Sequence, residues 1–495
     1  MEALKKLNLM KINLQKIKRD ANAPTRQGKT LFDLRRSLLV GSDAWRALRG
    51  GPPAIEARQK RRLADLIAFA RERSPYLREL YAGLPQGISD LSLLPPTEKA
   101  TLMENFDGWV TDPALRKEEV EAFLADKSLI GRPFLGRYLV WTSSGTSGIP
   151  VILVADKQAL AVMAAMGVAR GPGGPRDFLK VASRGNRQAG VYGAGGHMHG
   201  TTIMEHMRDH PKRAKKFTGF SVLTPLPELV RRLNEFRPAV LGGYASTLLL
   251  LAEEQAAGRL RIDPALILSG GEVLTPEARE RMASAFGCPV RDYYGAAEAA
   301  GLSYDCEYGR LHLNADWFVL EPVDEDYQPV GPGEVSHTVL LTNLANRVQP
   351  IIRYDLGDRI TMNPEPCPCG SPLPTLWVEG RRNELISFQK DDGEAVKLPP
   401  RALAMAMDST PGVHRCQAIK SAPAGLKIRL EVDPTADERE VFEEARRRLR
   451  EYLSAQGLPS VSVERDRVGP SIDPKTGKFR HVWSEVEEEA QATTW

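Results

Sequence analysis

The sequence predicts an α/β protein: a large layered α/β body followed by a small, mobile α+β domain. Three observations carry this. The chain has 495 residues, more than one hydrophobic core ordinarily fills. Strand-like apolar runs alternate with helix-periodic segments through most of it, and the pattern changes character after Glu379-Gly380-Arg381-Arg382.

Near the start, Ile55, Leu63, Leu66, Ile67, Phe69, Ala70 and Leu77 recur at helical spacing among Arg and Lys. They predict a helix over 55–81 that Pro75 kinks or splits. Tyr138–Trp141, Val151–Val154 and Ala239–Leu241 read as strands, and Lys157–Val168, Glu228–Phe236 and Ser246–Glu254 as helices. Such alternation builds a layered α/β body. Towards the C-terminus, two strands (about 413–421 and 425–432) precede a charged amphipathic helix from Ala436 to about Leu453, then a short strand at Ser460–Glu464. The predicted division is an N-terminal extension (1–54), a large domain (55–382) and a small C-terminal domain (383–495). No internal repeat is present.

Hydrophobic content of 42% and charged content of 26% are ordinary for a globular protein. The net charge of +4 is small for this length and does not argue for nucleic acid. Lys5, Lys6, Lys11, Lys16, Lys18 and Arg19 gather at the N-terminus. They read either as a contact for a membrane surface or RNA, or more simply as a solvated end interrupted by Asp20. No apolar run approaches the roughly 20 residues that span a bilayer, and no signal-peptide core is present. Five cysteines are too few for a disulfide framework at this size, so a reduced, cytoplasmic location is expected.

The segment Thr142-Ser143-Ser144-Gly145-Thr146-Ser147-Gly148 packs small residues and hydroxyls between two predicted strands. Glycines let backbone N–H groups approach an anion, and the hydroxyls add donors. It is not a Walker loop: the Gly-Lys-Ser/Thr ending is missing and a strand, not a helix, follows. Further blocks follow in order: Ser269-Gly270-Gly271-Glu272, Asp292-Tyr293-Tyr294-Gly295-Ala296-Ala297-Glu298, Ile352 to Asp358, Gly380-Arg381, and Pro474-Lys475-Thr476-Gly477-Lys478. Together they resemble the acyl-adenylate-forming superfamily, in particular its phenylacetate–CoA ligase-like branch, over residues 60 to 482.

That resemblance implies ATP-dependent activation of a carboxylic acid, aromatic by family, as acyl-AMP, and transfer of the acyl group to coenzyme A. Ser143, Ser144, Gly145, Thr146, Ser147 and Gly148 would grip the phosphates, and Gly270, Gly271 and Glu272 would lie beside adenine. Asp292, Tyr293, Tyr294 and Gly295 would line the nucleotide site. Glu298 would hold Mg²⁺, which prefers one or two carboxylates plus water. Asp358 would accept from both ribose hydroxyls, and Arg381 would contact ribose or phosphate. Lys478 would be the catalytic lysine, bridging two anions where the carboxylate attacks the α-phosphorus. Tyr244, Ala245 and Ser246 are candidate acyl-pocket residues. Two features depart from the family pattern. Ala297 replaces the usual hydroxyl, and Arg382-Asn383-Glu384 stands where acidic residues usually follow. A carrier protein or another cofactor as acceptor, or a catalytically idle scaffold, are the alternatives, and the sequence allows a homodimer.

Cys306, His312, Cys367 and Cys369 carry the donor set of a closed, structural Zn²⁺ site, three thiolates and an imidazole. Cys288 and Cys416 read as core thiols. In Gly193-Ala194-Gly195-Gly196-His197-Met198-His199-Gly200, two alternating histidines in a glycine-rich loop are expected to border the acid pocket or to form a surface loop.

Overall fold

The computed structural model describes residues 31–486 apart from 86, 89, 144–150, 172–174, 194–195, 210–212, 273, 275, 379–385, 391–393, 399 and 472–480. It opens with two long helices, α1 (Leu34–Arg49) and α2 (Gly51–Arg73). Asp33 caps α1 by accepting from the Arg36 amide. Ser74 ends α2 and caps the next helix, Pro75–Leu80, its hydroxyl accepting from the Leu77 amide. Pro75 sits at the first position of that helix, so the predicted segment is split rather than kinked. Val40, Ala44 and Ala47 of α1 join the main core, although they precede the predicted large domain.

β1 (Leu139–Thr142) and β2 (Ile152–Ala155) form the predicted hairpin, paired from Leu139↔Ala155 to Thr142↔Ile152. The Ser143 amide donates to the Val151 carbonyl and the Val151 amide to the Ser143 hydroxyl, both at 3.0 Å, closing the mouth of the intervening loop. Helix α3 (Lys157–Ala169) follows and packs against α1.

Five parallel strands come next: β3 (Gln188–Tyr192), β4 (Phe217–Ser221), β5 (Val240–Gly243), β6 (Leu266–Gly270) and β7 (Val290–Tyr293). Between them run α4 (His199–Arg208), α5 (Leu226–Phe236), α6 (Ala245–Ala256) and α7 (Pro276–Phe286). The order β4-β3-β5-β6-β7 reverses direction between β3 and β5. In open parallel sheets ligands bind beyond the strand carboxyl ends at such a reversal.

Two antiparallel sheets complete the body. One is β10 (Phe318–Val323), β11 (Thr338–Asn343) and β12 (Ile351–Asp355). The other runs in the order β13 (Ile360–Met362), β14 (Thr375–Val378), β9 (Leu311–Leu313) and β8 (Ser303–Asp305). In β12, Arg353 takes a left-handed φ of 46° close to a register shift opposite Leu341 and Asn343. Its buried guanidinium holds the bend by donating to the Leu94 carbonyl and pairing with Glu321.

The C-terminal part contains the hairpin β15 (Ile386–Gln389) and β16 (Ala395–Leu398), then α8 (Pro400–Asp408), β17 (Val413–Ala422), β18 (Gly425–Val432), α9 (Glu438–Ala455), β19 (Ser462–Arg465) and β20 (Val482–Ser484). The predicted strands and helix fall within about three residues of these bounds; α9 starts after Asp437, whose carboxylate accepts from the Arg439 and Glu440 amides. Its sheet runs β19-β18-β17-β20. This part shares one hydrophobic core with the helices of the parallel sheet. Lys397 pairs with Glu253 of α6, and Met405 of α8 lies over Gly193. Among the described residues no helix is long and apolar enough to cross a membrane.

Candidate active site

Strand β1 delivers Thr142 and Ser143 to the loop mouth, and two other segments converge on it. The Trp141 indole donates to the Ala297 carbonyl at 3.0 Å, and the Asn343 amide to the Glu298 carbonyl at 2.8 Å. These bonds tie the 296–299 turn to β1 and β11. The Ser303 amide and hydroxyl both donate to the Tyr294 carbonyl, fixing the turn from its other end.

The polar groups of this turn meet those after β12. Tyr294 donates to Asp358 at 2.8 Å, and Tyr354 donates to Glu298 at 3.1 Å. Asp355 is held by Thr338 and Tyr327 and accepts from the Gly357 amide, which shapes the turn presenting Asp358. Gly357 has φ of 70°, a conformation glycine adopts without strain. Burial pushes the Glu298 carboxyl up, and the Lys99 charge and the Tyr354 hydroxyl oppose this. Burial and the neighbouring Asp358 raise Tyr294 well above the usual phenol range. Two carboxylates, two phenols and one lysine thus share a partly dry space. Such a space suits a ligand with both hydroxyls and a bound cation.

The second half of the site lies over the parallel sheet. Tyr192, Tyr244 and Tyr293, at the ends of β3, β5 and β7, face one another; the Tyr192 and Tyr244 rings are 5.9 Å apart and edge-on. Glycines make the room. A Cβ on Gly270 would stand 2.2 Å from the Tyr293 ring, and one on Gly242 2.7 Å from the Tyr192 hydroxyl. Gly271 has φ of 81° and lies beside the Tyr244 ring, while Glu272 is buried next to it. Ala245 is buried at the start of α6, and Ser246 follows it in the helix.

Asp292 points away from Tyr293, beside Asp305 and its partner Arg279; burial and the Asp305 charge push its carboxyl up to about 8. The chain therefore gives Asp292 different partners from Glu298 of the same block and from Asp358 of the later one. Ser144, Gly145, Thr146, Ser147, Gly148, Arg381 and Lys478 lie outside the described residues.

The glycine-rich His loop sits between the two halves. The Thr142 amide donates to the His197 carbonyl at 2.7 Å, the His199 ring meets Trp141 edge-on at 5.0 Å, and the Gly193 amide donates to the Tyr244 hydroxyl at 3.3 Å. Burial lowers His199 to about 4, so its ring is neutral at pH 7. Lys99, Trp141, Tyr192 and Asn343 were not read as site residues in the sequence, because each is a lone side chain outside any motif.

The cysteine set assembles as expected. Cys306 and Cys367 sulfurs are 3.6 Å apart, Cys369 Sγ lies 3.3 Å from His312 Nε2, and all four donor atoms lie within 4.8 Å of one another. A tetrahedral zinc shell spaces its ligands by roughly 3.3–3.8 Å. His312 Nδ1 faces the Leu373 carbonyl at 3.3 Å, which orients Nε2 towards the thiols as metal-bound imidazoles require. The donor set and its geometry fit Zn²⁺.

Comparison with known proteins places this architecture. Over 88% of the chain the fold matches 2-hydroxyisobutyryl-CoA ligase in its postadenylation state, with a TM-score of 0.50 and 19% identity, covering 89% of that chain. The same ligase bound to 2-HIB-AMP and CoA in the thioesterification state gives a TM-score of 0.53 over 87% of this chain and 89% of that one. The class is therefore the fold of adenylate-forming acyl-CoA ligases. By sequence, 353 residues are 26% identical to phenylacetate-coenzyme A ligase of Thermus thermophilus, covering 67% of this chain and 71% of that protein. A shorter stretch of 138 residues is 26% identical to Protein CapK of Staphylococcus aureus, covering 28% and 29%. No family model matches the chain. The chain is a homologue of phenylacetate–CoA ligase.

Proposed function

We propose that this protein is an AMP-forming acid–CoA ligase acting on a carboxylic acid, probed first among aromatic acids. The observation that carries the reading is the convergence of Glu298 and Asp358, each bound by a tyrosine, on the mouth of the β1–β2 loop. In this reading the loop Ser143–Gly148 holds the ATP phosphates and Asp358 exchanges its Tyr294 bond for ribose hydroxyls. Glu298 would hold Mg²⁺, which would neutralise phosphate charge. Lys478 bridges the attacking carboxylate and the α-phosphate, and Arg381 supports the nucleotide from the hinge side. The acyl group lies against Tyr192, Tyr244 and Tyr293, whose rings favour a flat, apolar partner.

The small domain, 383–495, then rotates about a hinge near Arg382–Glu384, withdrawing Lys478 and admitting coenzyme A to the acyl-AMP. Zn²⁺ held by Cys306, His312, Cys367 and Cys369 would be structural, because three thiolates and an imidazole would leave no open position. A cytoplasmic setting, rich in ATP and CoA, agrees with five cysteines that form no disulfide.

Acid-dependent ATP–pyrophosphate exchange over a panel of aromatic and aliphatic acids tests the first half-reaction, and thioester formation with CoA tests the second. Exchange without thioester transfers the reading to a carrier protein or another cofactor. No exchange with any acid leaves an idle scaffold, with Ala297 as its mark.

A further inference from the structure

The outer face of α1 gathers exposed large apolar side chains and arginines. Leu34, Leu38, Leu39 and Trp45 are 68%, 64%, 66% and 54% exposed. Leu34, Leu38 and Trp45 are spaced four and seven residues apart and form one stripe, opposite the buried Val40, Ala44 and Ala47. Arg35, Arg46 and Arg49 lie beside the stripe and are exposed; the Arg49 guanidinium sits 4.7 Å from the centre of the Trp45 ring. The one acid of the helix, Asp43, is turned inward to Arg58 and Arg62 of α2. The 30 residues before it add eight basic residues against two acidic ones.

We infer that this face docks the enzyme on an anionic phospholipid bilayer, with α1 lying in the plane of the interface. Leucines and a tryptophan enter the boundary between headgroups and acyl chains, and the arginines meet lipid phosphates. Charge decides between occupants. A second copy would set one arginine row against another, since a twofold contact pairs a patch with itself. A nucleic acid would satisfy the arginines but leave four large apolar side chains against phosphate. Of these three occupants, the anionic bilayer complements both the leucines and the arginines.

The inference is independent of the proposed reaction and is tested by sedimenting the full chain with vesicles. Phosphatidylcholine vesicles containing phosphatidylglycerol should carry it down, and pure phosphatidylcholine vesicles should not. Leu38→Glu and Trp45→Ser should each weaken binding about tenfold, the effect of one buried apolar side chain. Arg35→Glu with Arg46→Glu should weaken it at least about 25-fold, at roughly fivefold per charge. All four side chains are exposed, and unchanged circular dichroism would confirm that the variants fold. The idea is overturned if the chain fails to sediment or if Leu38→Glu/Trp45→Ser binds like the parent. A twofold mass in light scattering that Leu38→Glu halves would assign the face to a second copy and overturn it equally.

Discussion

The acidic cluster and the sulfur cluster are neighbours built in opposite ways. Glu298 and Asp358 come from turns after β7 and β12, and each carboxylate is answered by a phenol that a ligand hydroxyl or cation could replace. The sulfur cluster takes its cysteines from the turns that precede β9 and β14 and its histidine from β9 itself, and its donors face one another. The first is a site arranged for exchange, the second one arranged for permanence. They are mechanically connected: β8, which leads into Cys306, is followed back to Ser303, whose hydroxyl and amide hold Tyr294.

The contrast yields predictions in descending size. Lys478→Ala should reduce acid-dependent pyrophosphate exchange by about 10²–10³, because it removes charge stabilisation at the transition state. Retained exchange would refute the assignment of that lysine. Removing zinc with a chelator, or Cys369→Ser, should lower the thermal midpoint by roughly 5 °C, equivalent to about 2–3 kcal/mol. At low temperature the exchange rate should survive, and its loss would mean that the sulfur cluster shapes the acidic one directly. Purified protein should contain about one zinc per chain by metal analysis.

Asp292 gives a pH test. Burial and the Asp305 charge push its folded carboxyl up to about 8, well above the usual carboxylate range, so the folded state holds the proton more tightly than the unfolded chain. That contribution is complete below about 4 and is lost as the pH rises to 8. Asp292→Asn should flatten this fall and stabilise the protein at pH 8 by about 1 kcal/mol or more, read from thermal unfolding against pH. A parallel fall in both proteins would place the cause elsewhere. The smallest effect is expected from Tyr354→Phe. Loss of one hydrogen bond to Glu298 should change the KM for Mg·ATP by about fivefold, or about 1 kcal/mol, and leave the fold unaltered.

Legibility differed between the two clusters. Cys306, His312, Cys367 and Cys369 were readable as a metal site from residue chemistry alone, since thiols and imidazole in that number have few other uses. Glu298 and Asp358 were readable only through the ordered blocks around them, because a single Glu or Asp carries no signal. Lys99 and Tyr192 were invisible. Each enters the site from a distant element, and only packing of that element against β12 or β5 puts it there.

The sequence by itself determined the local elements. Apolar periodicity, Pro75 after a capping Ser74, and hydroxyl-rich turns depend on neighbours within a few residues, so the hairpin and the C-terminal β17-β18-α9 unit follow directly. Tertiary structure alone decided that Asp292 would part from Glu298, six residues away. Strand β7 turns alternate side chains to opposite faces, and the buried Asp305 with its partner Arg279 receives the one while the tyrosines receive its neighbour. It also decided that α1 would bury Val40, Ala44 and Ala47 and leave Leu34, Leu38 and Leu39 outside. Which face of a helix meets the core depends on what the rest of the chain offers it.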